Sequence, residues 1–326
     1  MTRVLLKKYV HDAKWLLLAC GGTMFAFCWI RVWIVSRLDT GRFKAILDLL
    51  PDDWQRFTPV DFDWLITYTG RISLAYDELI VVLCVSIWSI ARGSDCVSGE
   101  IGRGTLEMLI AQPLSRLKVI TTHSLVTVTG VVLLSLAAWG GTCAGIYNTS
   151  VTVETLPTWQ LPIPLPWIGA EMPIPFSTPQ VIVAPMSELV DVRVFLPATV
   201  NLFALGLMVA GFTTMMSSWD RYRWRTIGIV VGIYVFQIIV KVVGLAADEV
   251  NWMLYLSAFT PYEPEAFVHI ADATPEFAWS LAIYDAEGMW KTWGPMAHHL
   301  VMATVGIVSY LAAAAIFIRR DLPAPM

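Results

Sequence analysis

Six long apolar runs constrain this chain more than any other feature of its sequence. Each has about the 20 residues that an α-helix needs to cross a bilayer core of roughly 30 Å. The chain is 56% hydrophobic and only 15% charged, whereas about 25% of the residues of a soluble domain are charged. The sequence therefore predicts an all-α polytopic membrane protein, a single domain over 1–326 with six transmembrane helices. These span about 15–35, 72–91, 119–147, 194–218, 226–247 and 297–318.

The distribution of lysine and arginine predicts the orientation of these helices. Basic residues outnumber acidic ones in the segments 1–14, 92–118 and 219–225 taken together. Cytoplasmic segments of membrane proteins carry such an excess. We therefore expect a multi-pass protein of the cytoplasmic (inner) membrane with both termini in the cytoplasm, preceded by a cytoplasmic amphipathic segment at 1–14. The outer loops are then 36–71, 148–193 and 248–296.

The three outer loops are too long to be simple turns. Apolar residues at helical spacing in the first loop predict a short helix that ends before Pro51; they are Phe43, Ile46, Leu47 and Leu50. The second loop is rich in proline, so we expect it to be extended or polyproline-like and to pack on the outer ends of the helices. The third is acidic and aromatic, which suits a solvated surface loop or a face that receives cations or partner proteins.

Charged residues inside the apolar runs are candidates for a pathway. A charge at the bilayer centre costs about 2.5 to 3.5 kcal/mol on insertion scales, so such residues usually pair or function. The candidates are Arg31, Asp77, Glu78 and Lys241. All four lie near the predicted outer ends of their helices, where they can pair or reach the interface. No chain of buried acids crosses the membrane as a proton relay would.

Signatures of catalysis were sought and not found in the sequence. It contains no H-E-x-x-H or G-x-S-x-G motif and no cluster of residues at metal-ligand spacing. The five cysteines fit small apolar fillers better than disulfides or ligands. A G-x-x-x-x-G-K-[ST] phosphate loop is also missing. We therefore predict no catalytic, cofactor-binding or metal-binding residue, and any ATP that drives this protein must be hydrolysed by another chain.

The connection 92–118 holds the most polar stretch, GEIGRGTLEMLIAQPLSR, at 99–116. Its periodicity predicts a two-turn amphipathic helix that Thr105 caps, with Glu107 on the polar face and Pro113 after its end. The apolar positions are Leu106, Leu109 and Ile110. A helix of this length is marginal in water. It must therefore lie at the lipid headgroups or dock onto a partner.

The residues before this predicted helix favour a close approach. Gly99, Gly102 and Gly104 allow a tight turn with positive φ, which costs glycine little. Glu100 lies near the helix start, where the helix dipole favours a negative charge.

The stretch 99–116 resembles the pattern G-E-x-x-x-G-T-L-E-x-L-L-x-x-P-x-S-R of ABC-2 type permeases. In that family it follows the second helix and forms the coupling helix that docks in a cleft of a separate ATPase. The coupling residues implied here are Gly99, Glu100, Arg103, Gly104, Thr105, Leu106, Glu107, Leu109, Ile110, Pro113 and Arg116. The six helices and the terminal Arg319 and Arg320 also fit. His123 stands where many members have lysine, and the proline-rich loop is longer than in compact members.

The resemblance implies a permease subunit of an ATP-binding cassette transporter, with export as the family direction. The implied partners are a P-loop ATPase, which would bind ATP and Mg²⁺, a second copy or homologous permease, and the lipid bilayer, with no nucleic acid. Leu106, Leu109 and Ile110 would then fill the ATPase cleft. Polar contacts around it would come from Glu100, Arg103, Glu107 and Arg116.

Two other classes remain open on the sequence alone. A secondary transporter would need ion-coupling residues at mid-membrane and often has repeats with broken helices. A membrane assembly factor or an intramembrane enzyme would show a docking loop or polar catalytic groups on one side. Copurification of a P-loop ATPase would distinguish the permease from all of these.

Overall fold

The computed structural model describes residues 2–38, 49, 57–112, 115–155, 158–165, 169–173, 180–284 and 289–320. Six helices in these ranges are long and apolar enough to cross a membrane, which confirms the all-α class and the multi-pass character predicted from the apolar runs. They extend over Arg3–Arg37, Tyr68–Gly102, Arg116–Asn148, Val192–Trp219, Arg223–Ala246 and Pro295–Arg319.

Ten α-helices of four or more residues, with a further helical turn at Glu100–Gly102, carry the fold in the described ranges, and six strands lie between them. The helices are α1 (Thr2–Arg37), α2 (Phe62–Leu65), α3 (Tyr68–Ser73), α4 (Leu79–Ser94), α5 (Thr105–Ile110), α6 (Arg116–Asn148), α7 (Leu196–Trp219), α8 (Arg223–Ala246), α9 (Pro264–Ala273) and α10 (Pro295–Arg319). The strands are β1 (Ser150–Thr155), β2 (Thr158–Leu165), β3 (Gly169–Pro173), β4 (Gln180–Pro185), β5 (Ala282–Tyr284) and β6 (Trp290–Trp293).

Helix α1 is a single unbroken helix of 36 residues. The segment 1–14, expected as a separate amphipathic piece, is from residue 2 a continuation of the first spanning helix. Leu5, Tyr9 and Ala13 lie four residues apart and are all buried, so they form one face that packs on the bundle. This apolar face explains why the helix does not break before the membrane run.

Helix α7 lies at the centre of the bundle. Its most apolar stretch is 78% buried, against 17% for that of α8. It packs on α10 at Gly211, where a Cβ atom would lie 2.3 Å from the carbonyl oxygen of Gly306. Small residues at such crossings let two backbones approach closely.

The first turns of α1 and the last turn of α10 lie at the same end of the bundle, as an even number of long helices requires. Lys8 of α1 contacts Glu100, and Arg116 at the start of α6 donates to the carbonyl oxygen of Arg320 at 2.6 Å. We call this the termini end and the opposite one the far end. The segment 99–116 therefore lies beside both termini.

The proline-rich loop, expected to be extended or polyproline-like, is extended where the structure describes it and forms paired strands. Strand β1 pairs with β4 and β2 with β3, both antiparallel. Pro162 and Pro164 fall between Gln160 and Leu165, where the register of β2 shifts, because proline has no N–H to donate to a ladder. The short helix expected at Phe43 to Leu50 lies outside the described residues. The acidic third loop contains α9 and the antiparallel pair of β5 and β6.

Candidate functional site

A π-helical turn at Asp95–Gly99 leads from α4 into the glycine-rich segment. The hydroxyl of Ser217 on α7 accepts hydrogen bonds from the backbone N–H groups of Val97 at 3.2 Å and Ser98 at 3.0 Å. It donates in turn to the carbonyl oxygen of Ser94 at 3.1 Å. A side chain inserted into a helical ladder widens the turn, and π-turns are frequent at functional sites. The turn therefore ties the start of the segment to the central helix.

Glu100 follows this turn and is fully buried. Its carboxylate accepts from the Lys8 ammonium at 2.8 and 3.1 Å and pairs with Arg103 at 3.3 Å. The hydroxyl of Thr105 also donates to it. A buried carboxylate is tolerated only when charges and hydrogen bonds compensate its lost hydration. Here the compensation comes from Lys8 of α1 and from Arg103 and Thr105, which follow Glu100 along the chain.

Asp95 is the second buried acid of the site. It pairs with Arg103 at 2.6 Å, with Arg223 of α8 at 3.1 Å and with Arg92 at 3.6 Å. Arg103 therefore bridges the two acids, Asp95 at the first position of the π-helical turn and Glu100 directly after it. We call Lys8, Arg92, Asp95, Glu100, Arg103 and Arg223 the ionic network.

His123 of α6 extends this network into the third spanning helix. Its Nε2 atom lies 3.1 Å from a terminal nitrogen of Arg92, and its ring packs edge-on against Tyr9 with centroids 4.9 Å apart. The side chain is fully buried. The network thus joins the glycine-rich segment to α1, α4, α6 and α8.

A second cluster ties the C-terminal end of α10 to its neighbours. Arg116 donates to the carbonyl oxygen of Arg320, and Arg320 donates to those of Ser218 at 2.8 Å and Asp220 at 2.9 Å. Asp220 pairs with Arg225 at 2.5 Å. That ion-paired hydrogen bond, together with backbone N–H donors, holds the pKa of Asp220 below its usual range. Arg116, expected to contact a partner, is thus engaged within the chain.

Helix α5 begins directly after a glycine with a left-handed backbone. Gly104 has φ of +69°, which confirms the expected positive-φ approach at one of the three glycines. Thr105 opens the helix, and its hydroxyl donates to Glu100; its role as the cap of this helix stays a prediction.

The side chains of α5 divide between this chain and its surface. Leu106 is buried in the chain's own core and Leu109 packs partly against it, while Met108 is 64% exposed. The expectation that Leu106 and Glu100 face a partner is corrected here, because both are buried within the chain. The side chains of Glu107 and Ile110, and the whole of Pro113, lie outside what the structure describes.

The described residues of the site anchor the glycine-rich segment to the long helices, and they show no evident reaction chemistry. Its charged groups are paired with one another, and its helices converge on a short exposed helix. No protein-family model and no curated protein matches this chain. Displacing α5 would move a segment that is bonded to four long helices, so the arrangement can transmit motion between α5 and the bundle.

The charged residues inside the apolar runs meet at the far end. Arg31 pairs with Glu78 at 2.6 Å, and the Lys241 ammonium donates to the carbonyl oxygen of Tyr262 at 2.8 Å. Asp77 and Lys241 line one cavity of about 510 Å³. The expected pairing near one interface is therefore found for Arg31 and Glu78, while Asp77 and Lys241 share a cavity.

Sequence reasoning missed Lys8, Asp95, Arg223, His123 and Ser217 as members of the site. Arg92 and Asp95 are three residues apart at the end of an apolar run, a spacing that places both on one helical face. This spacing was the only available signal. The contacts of Lys8, Arg223 and Ser217 join residues about 90 to 130 positions apart, and that of His123 joins residues 31 apart. Local periodicity contains no information about any of them.

Proposed function

We propose that this chain is the membrane-spanning permease subunit of an ATP-binding cassette exporter. In this proposal the termini end faces the cytoplasm, in the cytoplasmic membrane, and α5 docks on a separate P-loop ATPase that binds ATP and Mg²⁺. A second copy of the chain, or a homologous permease, completes the pathway. The observation that carries the proposal is the ionic network, which connects the segment 99–116 to α1, α4, α6 and α8.

The geometry supports a mechanical role for this segment. A coupling element has to be rigid, because a flexible one would absorb the displacement that an ATPase imposes. Arg103 bridges Asp95 and Glu100 across the π-turn, and Leu106 anchors α5 in the core. Switching transitions commonly work by shifts of such packed elements. In this role the buried Glu100 transmits force and does not itself touch the ATPase.

Met108 is the described side chain of α5 that is best placed to contact a partner. It is exposed, apolar and centred on the helix. Truncation of a central apolar anchor commonly costs more than 1 kcal/mol of binding. A charge in its place would leave the fold intact because the position is open to solvent.

The test is whether a P-loop ATPase copurifies with this chain from its native membrane, and whether Met108→Asp lowers the amount recovered. We expect the ATPase recovered with the variant to fall at least about tenfold, while membrane insertion and thermal unfolding stay unchanged. Leu256→Asp is the matched control, since Leu256 is 61% exposed and lies at the far end. It should copurify as much ATPase as the unmodified chain does.

Two results would overturn the proposal. One is equal ATPase recovery with Met108→Asp and Leu256→Asp. The other is transport in proteoliposomes that contain this chain alone and are driven by an ion gradient, which would favour a secondary transporter.

A further inference from the structure

A cavity of about 510 Å³ opens at the far end, between the start of α4, the last turns of α8 and the start of α9. This volume lies within the range of about 300 to 1,000 Å³ typical of small-molecule sites. Most of its lining is apolar or aromatic, including Val82, Tyr234, Ile238 and Phe259. The cavity is therefore large enough and apolar enough to hold a ligand with a hydrocarbon body.

Carboxyl groups dominate the polar part of the lining. Asp77, Glu263 and Glu265 all line the cavity, and Lys241 is the basic residue among them. The Lys241 ammonium is engaged, because it donates to the carbonyl oxygen of Tyr262 at 2.8 Å. The cavity therefore offers more negative than positive charge to a ligand.

The carboxyl group of Glu265 indicates where in the cavity a ligand would bind. Its side chain is 94% buried, and no hydrogen bond reaches its Oε2 atom within the described part of the chain. A buried carboxyl group without a partner carries a desolvation penalty that natural proteins rarely leave uncompensated. Burial, followed by the charge of Asp77, raises the pKa of Glu265 to about 8.

The spacing of these acids disfavours a bare metal ion. No three His, Cys, Asp or Glu side chains of the described ranges are close enough to hold a metal ion. A cation with a larger radius and an apolar body would satisfy both the acids and the aromatic lining, since tyrosine and phenylalanine faces attract cations.

We propose that this far-end cavity binds an amphiphilic organic cation, whose charge lies between Asp77 and Glu265 and whose hydrocarbon part packs on Tyr234 and Phe259. Binding of such a cation does not require an ATPase at the termini end. Failure of this site and failure of the proposed function are therefore separate results.

The probe is tetraphenylphosphonium, whose charge does not change with pH, and its affinity for the purified full chain in detergent is measured by equilibrium dialysis. We expect Asp77→Asn to weaken binding at least about tenfold, as the loss of one close countercharge in a partly desolvated site should. Glu276→Gln, at an exposed acid outside the cavity, should leave the affinity unchanged. The neutral triphenylphosphine oxide should bind more weakly and with equal affinity to all of these proteins.

A variant with higher affinity for the cation excludes misfolding as the cause of the changes in binding. Lys241→Gln removes the positive charge and keeps an N–H donor for Tyr262, so cation binding should tighten several-fold. A misfolded protein would not give this result.

The pH profile distinguishes Glu265 from its neighbours. The affinity for the cation should rise as the pH passes from 7 to 9, because Glu265 ionises near pH 8, and Glu265→Gln should abolish that rise. The groups that act on Glu265 are Asp77, Lys241, Glu263 and the hydroxyl of Tyr262.

Three outcomes would overturn the proposal that this cavity binds a cation. They are equal affinity in Asp77→Asn and Glu276→Gln, equal binding of the neutral and cationic probes, and a Lys241→Gln variant that binds the cation no more tightly than the unmodified chain.

Discussion

At the scale of single residues, the termini end depends on two buried acids that are each matched by several cations. Glu100 and Asp95 share Arg103, and each has a second cation from a distant helix. Keeping all of these charges together costs little free energy, whereas removing one acid leaves several cations without a counter-ion. The acids of this network are therefore more sensitive to substitution than its partly exposed bases Lys8, Arg103 and Arg223.

Replacing Glu100 tests this asymmetry. We expect Glu100→Gln to lower the free energy of unfolding by about 2 kcal/mol, less than the 3 to 5 kcal/mol of a fully buried pair, because the Lys8 side chain is 35% exposed and can be rehydrated. Thermal unfolding in detergent measures the change. Glu188→Gln, at an exposed acid, is the control and should stay within about 0.5 kcal/mol. Equal stability of the two variants would show that the buried contacts of Glu100 are energetically neutral.

At the scale of elements, the spanning helices could be predicted and their attachments could not. The apolar runs determine where helices cross, because only a helix satisfies its backbone within the bilayer core. The π-turn depends on Ser217, which lies about 120 residues from Val97 and which no local pattern connects to it. The proline-rich loop was predicted to be extended or polyproline-like, and its described parts are extended; the pairing of its strands was not predicted, because proline content does not indicate whether another strand pairs with it.

Substitution of Ser217 should loosen the π-turn. Ser217→Ala removes the acceptor of two backbone N–H groups, so we expect a loss of about 1 to 3 kcal/mol, the cost of unsatisfied buried donors. Hydrogen exchange at Val97 and Ser98 should increase. Ser218→Ala is the matched control, since Ser218 is equally buried but its hydroxyl, among the described residues, bonds only to the carbonyl oxygen of Thr214 in its own helix. Exchange that rises equally in both variants would contradict a specific role for Ser217.

At the scale of the whole molecule, α7 holds the bundle together from its centre. Its small residues allow α10 to approach backbone to backbone, whereas α8 lies at the periphery. The composition of α7 alone did not predict this position, because all six runs are similarly apolar and a lipid-facing helix resembles a buried one in sequence.

Adding a methyl group at two glycines separates these positions. Gly211→Ala would place its Cβ atom 2.3 Å from the carbonyl oxygen of Gly306, whereas nothing lies within 4 Å of a Cβ atom at Gly232. We expect Gly211→Ala to destabilise the fold by about 1 to 3 kcal/mol, as overpacking does, and Gly232→Ala to be neutral or slightly stabilising. Unfolding in a denaturing detergent gives both values. If the two variants unfold alike, α7 and α10 are not closely packed there.

The spacing of interfacial residues along the unbroken helix α1 matches the thickness of a bilayer. Its two tryptophan and basic residue pairs, Lys14 with Trp15 and Arg37 with Trp33, are the types of side chain that settle at membrane interfaces. Trp15 and Trp33 are about 27 Å apart along the axis at 1.5 Å per residue, close to the thickness of a hydrocarbon core of roughly 30 Å. By the same rise, Lys8 lies about 10 Å beyond Trp15. A bilayer aligned with Trp15 and Trp33 would therefore place Lys8 at headgroup level, where the exposed 35% of its side chain can be hydrated while it pairs with the buried Glu100.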